Sequence, residues 1–142
     1  MKRKSLSALQ AQKGQTPIAM ITAYDALFAK LFEEHADMIL VGDSLNMSFL
    51  GEDDTLSATL DQMIYHTKAV CNGAPTAYVV CDMPYGTYLN SDDAIANAVR
   101  VYQETKADAV KIEGGLEKAH IVKALVDNGI AVVGHVGLMP QS

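Results

Sequence analysis

The sequence predicts a parallel α/β fold, strands side by side under a coat of helices, and three observations carry that prediction. Apolar runs of strand length recur at residues 18–22, 37–41, 77–81, 108–113 and 130–134, and apolar residues at helical spacing follow each of the first four. Most of these runs are apolar on both faces, as strands covered from both sides require. Residues with chemistry, Asp43, Asp82, Glu113 and His135, fall at the carboxyl ends of successive runs. That edge is where parallel α/β folds build their sites.

Each element has its own justification. Residues 5–13 read as a short helix ended by Gly14 and Pro17, placed to cover one end of the core. Asp25 follows the first strand as an N-cap, and Leu27, Phe28, Leu31 and Phe32 then repeat on one side of a helix with Lys30, Glu33 and Glu34 on the other. The second strand runs into Gly42-Asp43-Ser44, and residues 45–57, without a clear period, form a connection long enough to act as a lid. Thr59-Leu60-Asp61-Gln62 is a capping box opening a helix that stops at Asn72-Gly73. The third strand ends in Asp82-Met83-Pro84, and Ser91 is expected to cap a helix through Ala94, Ile95, Ala98, Val99 and Tyr102. Gly114-Gly115 leads into a helix with Ile121, Val122, Leu125 and Val126, closed by Asn128-Gly129 before the fifth strand.

Two architectures fit such alternation, an open doubly wound sheet and a closed eight-stranded barrel. The glycine-rich turn of a dinucleotide or phosphate-binding fold is absent after the first strand, where Thr22-Ala23-Tyr24-Asp25 stands. That favours a closed (β/α)8 TIM barrel over the open sheet. A barrel needs eight units and about 250 residues. Residues 1–142 supply about the first five units, the amino-terminal part of a single barrel domain. With Pro140-Gln141-Ser142 as its last residues, the chain is expected to be a piece of a longer protein.

Bulk properties narrow the function. A net charge of −6, with scattered lysines, argues against nucleic acid. No secretory signal follows Met1-Lys2-Arg3-Lys4-Ser5 and no apolar run is long enough to span a membrane, so a cytoplasmic protein is expected. Cys71 and Cys81 lack Cys-x-x-Cys spacing and read as reduced packing residues.

The fourth strand holds the most informative pattern. Strand alternation points Lys111 and Glu113 to one face and Val110 and Ile112 to the other. If the apolar pair lies under helices, both charges enter an enclosed interior and need partners. The same parity groups Asp43 with Ile39 and Val41, and Asp82 with Tyr78 and Val80. Neighbouring strands stand about 4.8 Å apart, so carboxylates at matching heights can share one ion. Oxygen ligands with open positions favour Mg2+ over zinc. Such an ion could chelate a 2-oxo acid and acidify the carbon beside its keto group.

Plainer readings stand beside these. A strand-end acid alone is also a natural helix N-cap, and Lys111 could serve as the ion-pair partner of Glu113 and Asp82, as a substrate contact, or as both. His135 and His66 each also fit a structural role. Ser44 lacks a nucleophile elbow and reads as a hydrogen-bond donor to a carboxylate ligand.

At these residues the chain resembles the ketopantoate (3-methyl-2-oxobutanoate) hydroxymethyltransferase family. The matching stretches are Thr22-Ala23-Tyr24-Asp25, Leu40-Val41-Gly42-Asp43-Ser44, Tyr65-His66-Thr67, Val110-Lys111-Ile112-Glu113-Gly114-Gly115, Gly134-His135-Val136-Gly137-Leu138 and Pro140-Gln141-Ser142. The resemblance implies a (β/α)8 barrel that transfers a hydroxymethyl group from 5,10-methylenetetrahydrofolate to 3-methyl-2-oxobutanoate. The product is 2-dehydropantoate, for pantothenate and coenzyme A synthesis, and the route is a magnesium-stabilised enolate. It also implies Mg2+ at Asp43, Asp82 and Glu113, substrate contacts from Asp43, Ser44, Asp82 and Lys111, and a homo-oligomer, a large ring of subunits. The family's general base is a glutamate beyond Ser142, so these 142 residues alone are expected to be inactive. His135 is left as an orienting group.

Two rivals remain. Magnesium-dependent lyases of the phosphoenolpyruvate group use similar chemistry, but their Lys-Lys-Cys-Gly-His loop does not occur here. The other rival is a catalytically inert assembly module.

Overall fold

The computed structural model describes residues 3–141. Five parallel strands, β1 (Met20–Thr22), β2 (Met38–Val41), β3 (Tyr78–Asp82), β4 (Ala109–Glu113) and β5 (Val132–His135), lie in the order of the chain. A doubly wound sheet reverses its strand order partway. Here each strand is added beside the last in one direction, which is how a (β/α)8 barrel closes. The chain therefore forms a partial barrel, with β1 and β5 as its edges.

Helix α1 (Leu6–Gln12) precedes the sheet and packs on one face, while four helices follow the first four strands and cover the other, α2 (Ala26–Phe32), α3 (Leu60–Gly73), α4 (Ser91–Glu104) and α5 (Ala119–Asp127). Side-chain caps define their starts. Asp25 Oδ1 accepts from Phe28 N at 2.9 Å, and Thr59 and Gln62 form the reciprocal capping box the sequence predicts. The α4 cap is Asn90, not Ser91, because the Asn90 side chain accepts from Asp93 N at 2.9 Å and leaves Ser91 as the first helical residue.

Strand parity separates two cores. Ile39, Val41, Val79, Cys81, Val110 and Ile112 face the helices, where Met63, Val70, Ala98, Val101, Ile121 and Leu125 meet them. Tyr78, Val80 and Ala109 point to the barrel interior, where Leu9 of α1 packs on them. An apolar hollow of about 610 Å³, lined in part by Leu9, Met38, Tyr78 and Val133, continues this inner face.

The α2 helix departs from its pattern. Leu27, Phe28 and Leu31, the residues expected to bury, are 68%, 51% and 57% exposed, while Ala29 is buried and Phe32 only packs against the core's margin. This helix follows the edge strand β1 and packs on α3 along one flank, so the partial barrel leaves its other flank uncovered. A Cβ on Gly73 would stand 2.2 Å from the Ala26 carbonyl oxygen, so α3 presses its glycine against the start of α2, and the small Ala29 takes the inward position. Residues 45–57, the connection long enough to act as a lid, begin with a π-helical turn, Asn46–Leu50, ended by Gly51 at φ 73°. Asn46 Nδ2 donates to Ser57 Oγ at 2.7 Å and ties the connection to itself. No helix among the described residues is long and apolar enough to cross a membrane.

Candidate active site

The carboxyl ends of β2, β3 and β4 bring Asp43, Asp82, Lys111 and Glu113 together, all four buried. In-register pairing sets Asp82 beside Lys111 on adjacent strands, and Glu113 lies two residues further along the same face. Lys111 Nζ is 2.8 Å from Asp82 Oδ1 and 3.6 Å from Glu113 Oε1. His135, opposite Glu113 in the β4–β5 pair, places Nδ1 2.8 Å from the same Oε1.

Asp43 reaches this cluster by a route that alternation does not give. Parity groups it with Ile39 and Val41, which face the helices. The strand ends at Val41 and the chain turns at Asp43-Ser44, so Asp43 swings to the strand mouth, where its backbone N–H donates to Asp82 Oδ2 at 3.0 Å. Gly42 makes room for this turn: a Cβ there would come to 3.0 Å from Ser44 Oγ and 3.5 Å from Asp82 Oδ2. Ser44 is half-buried, and its hydroxyl lies 3.0 Å from that of Tyr24. Tyr24 in turn stacks edge-on against Phe49, and its carbonyl meets His66 Nδ1 at 2.6 Å. His66 thus holds the β1–α2 turn, consistent with a structural role.

One further residue belongs to the cluster and was not singled out from the sequence. Buried Gln141 donates from Nε2 to Asp43 Oδ2 at 2.6 Å and from its backbone N–H to Glu113 Oε2 at 3.2 Å. A glutamine in a loop after the fifth strand carries no periodic or charge signal. Only the Pro-Gln-Ser stretch of the resemblance marked it.

Burial dominates the electrostatics. It pushes the Asp82 carboxyl up from 3.8 to about 6, against the opposing pull of Lys111. The Asp43 carboxyl is also raised, burial again coming first and the Gln141 hydrogen bond and Lys111 opposing it. Three buried carboxylates facing one ammonium make a donor set that suits a hard divalent cation. As the side chains stand, Lys111 bridges Asp82 and Glu113 and Gln141 bridges Asp43 and Glu113. No three acid, His or Cys side chains among the described residues cage an ion in this arrangement.

A partial parallel barrel with a buried acid–lysine cluster at the strand mouth defines an α/β-barrel protein with its site at the carboxyl edge. Solved structures share this fold. Phosphoenolpyruvate phosphomutase from Streptomyces platensis subsp. rosaceus superposes with a TM-score of 0.70 at 18% identity, covering 93% of this chain and 53% of that one. A phosphonopyruvate hydrolase complexed with oxalate and Mg++ gives 0.72 at 14% identity, covering 94% and 52%. At these identities the likeness extends to the fold alone.

Sequence comparison is far more specific. The model of the ketopantoate hydroxymethyltransferase family matches residues 3–142, and the chain belongs to that family. It is 64% identical to the 3-methyl-2-oxobutanoate hydroxymethyltransferase of a Nitratiruptor species over 99% of this chain and 54% of that protein. The protein of the same name from Helicobacter pylori is 58% identical over 99% and 52%. The chain thus spans about half the length of the curated relatives it matches.

Proposed function

We propose that the full-length protein is a 3-methyl-2-oxobutanoate hydroxymethyltransferase of pantothenate synthesis, taking its one-carbon unit from 5,10-methylenetetrahydrofolate. The observation that carries this reading is the buried Asp43–Asp82–Lys111–Glu113 cluster at the strand mouth of a chain in this family. Asp43, Asp82 and Glu113 would hold Mg2+, as their buried negative charge favours. When bound, the ion supplies polarisation of the substrate's keto group.

The chain's own residues perform the rest of what is proposed here. Lys111 offers its ammonium to the oxygen on which charge develops when the substrate's C3 loses its proton. Ser44, aligned by Tyr24, donates to the 2-oxo acid, and Asp43 and Asp82 orient it. His135 sets the direction of the Glu113 carboxylate through the 2.8 Å contact. The carbon nucleophile so formed attacks the folate's methylene carbon, making the new C–C bond as one C–N bond breaks, and water then supplies the hydroxyl oxygen as the second C–N bond breaks and tetrahydrofolate leaves. A glutamate beyond Ser142 is the proposed proton acceptor, so residues 1–142 by themselves would not turn over. Cytoplasmic location and self-association into a ring belong to the same reading.

Proton NMR of 3-methyl-2-oxobutanoate in deuterium oxide, with full-length protein and Mg2+, tests it. Loss of the C3 proton signal, abolished by a chelator and by Asp82→Asn, is expected. No exchange with or without tetrahydrofolate in a folded, metal-loaded protein would overturn the proposal.

A further inference from the structure

Gln141 occupies an unusual position, a neutral residue buried to 7% exposure among three carboxylates, with every polar atom of its side chain engaged. Nε2 donates to Asp43 Oδ2 at 2.6 Å and to the Met83 carbonyl at 3.1 Å. Oε1 accepts from the Tyr88 hydroxyl. That hydroxyl accepts in turn from the Glu113 backbone N–H at 3.2 Å, so its one proton is left for Gln141.

The amide has only one workable orientation. Reversing it would set Oε1 against the Asp43 carboxylate and the Met83 carbonyl, three acceptors with no proton between them. Tyr88 and Met83 therefore fix the amide from two sides, and the amide fixes Asp43. Hydrogen bonds from an amide to an ionised carboxylate are roughly twice as strong as neutral ones. The Gln141 backbone N–H meanwhile holds Glu113 Oε2, so one residue after β5 aligns acids at the ends of β2 and β4.

We propose that Gln141, locked by Tyr88, is a positioning residue that presets the Asp43 and Glu113 carboxylates for a divalent cation. This rests on the reading of the cluster as a metal site. Partners of this kind alter metal affinity by about 10–100-fold when removed. Tyr88 acts on Asp43 only through Gln141, so the two residues should behave as one unit with respect to that carboxylate.

The test is Mn2+ binding to the full-length protein, followed by the electron paramagnetic resonance signal of free Mn2+, which needs no turnover. Gln141→Ala is expected to raise the dissociation constant about tenfold or more. Tyr88→Phe, which keeps the ring and its packing, is expected to weaken binding by less, and to weaken it less in the Gln141→Ala background than in wild type, the remainder coming from its own bond with the Glu113 N–H. Metal-free thermal unfolding separates positioning from simple support, because a purely structural residue lowers the unfolding temperature without a matching loss of Mn2+ affinity. Affinities within about twofold of wild type in a folded Gln141→Ala protein would overturn the assignment and leave the metal site standing. If wild type itself binds no Mn2+, the metal-site reading falls and this inference falls with it.

Discussion

Lys111 Nζ lies 2.8 Å from Asp82 Oδ1, a contact made between adjacent strands whose register sets the two residues side by side. Both groups are buried, so neither has water to replace the other. Lys111→Met keeps the stem and removes the charge, leaving Asp82 and Glu113 buried with no ammonium. Denaturant unfolding of the metal-free protein should show a loss of about 3–5 kcal/mol. A loss below about 1 kcal/mol, the scale of an exposed pair, would contradict the buried pairing.

Asp82 also predicts a pH dependence. Its folded carboxyl stands at about 6 against an ordinary 3.8, chiefly through burial, so the folded state holds the proton more tightly than the unfolded chain. That stabilisation is complete below 3.8 and is lost as pH rises through about 6. Wild type should therefore lose stability relative to Asp82→Asn across this window when no metal is present, and the difference should level off at higher pH. Parallel unfolding curves for the two proteins over the window would show that the shift is absent.

The tyrosines give the alkaline counterpart. Burial pushes Tyr78 and Tyr88 from 10.0 up to about 12. Their contribution to stability is full below pH 10 and is lost as pH rises through about 12. Tyrosinate absorbance should show a fraction of the tyrosines titrating late, and Tyr88→Phe should remove one of them.

Gly73→Ala tests the helix contact. The added Cβ would meet backbone, the Ala26 carbonyl oxygen at 2.2 Å, which cannot move without parting α2 from α3. Destabilisation of about 2 kcal/mol or more is expected, on the scale of overpacking. Thr59→Ala, which removes half of the capping box, should cost about 1 kcal/mol and provides a scale at the opposite end of the same helix.

Strand order, helix order and the lysine–acid face of β4 were legible because each rests on a local period, two for strands and 3.6 for helices. The same rule misplaced Asp43, since parity holds only while the chain is extended, and the turn after Val41 ends it. Burial of Leu27, Phe28 and Leu31 was misread for a different reason. Helical spacing shows which residues share a face, but not that α2 follows an edge strand of the partial barrel and is covered by α3 along one flank. Gln141 was illegible from pattern because its role depends on Asp43, Tyr88 and Glu113, residues 98, 53 and 28 positions away.

Cys81 sits in the middle sheet strand with no solvent exposure, and burial pushes its thiol up to about 12, while Cys71 lies on the α3 face packed over the sheet. The Cys81 sulfur cannot meet a reagent while these layers stay joined, whereas Cys71 lines two surface hollows. The two thiols are therefore clocks for different events. Alkylation at Cys81, whose side chain faces the helices, times the lifting of α3 from the sheet, and alkylation at Cys71, which borders surface hollows, reads smaller movements at the helix end.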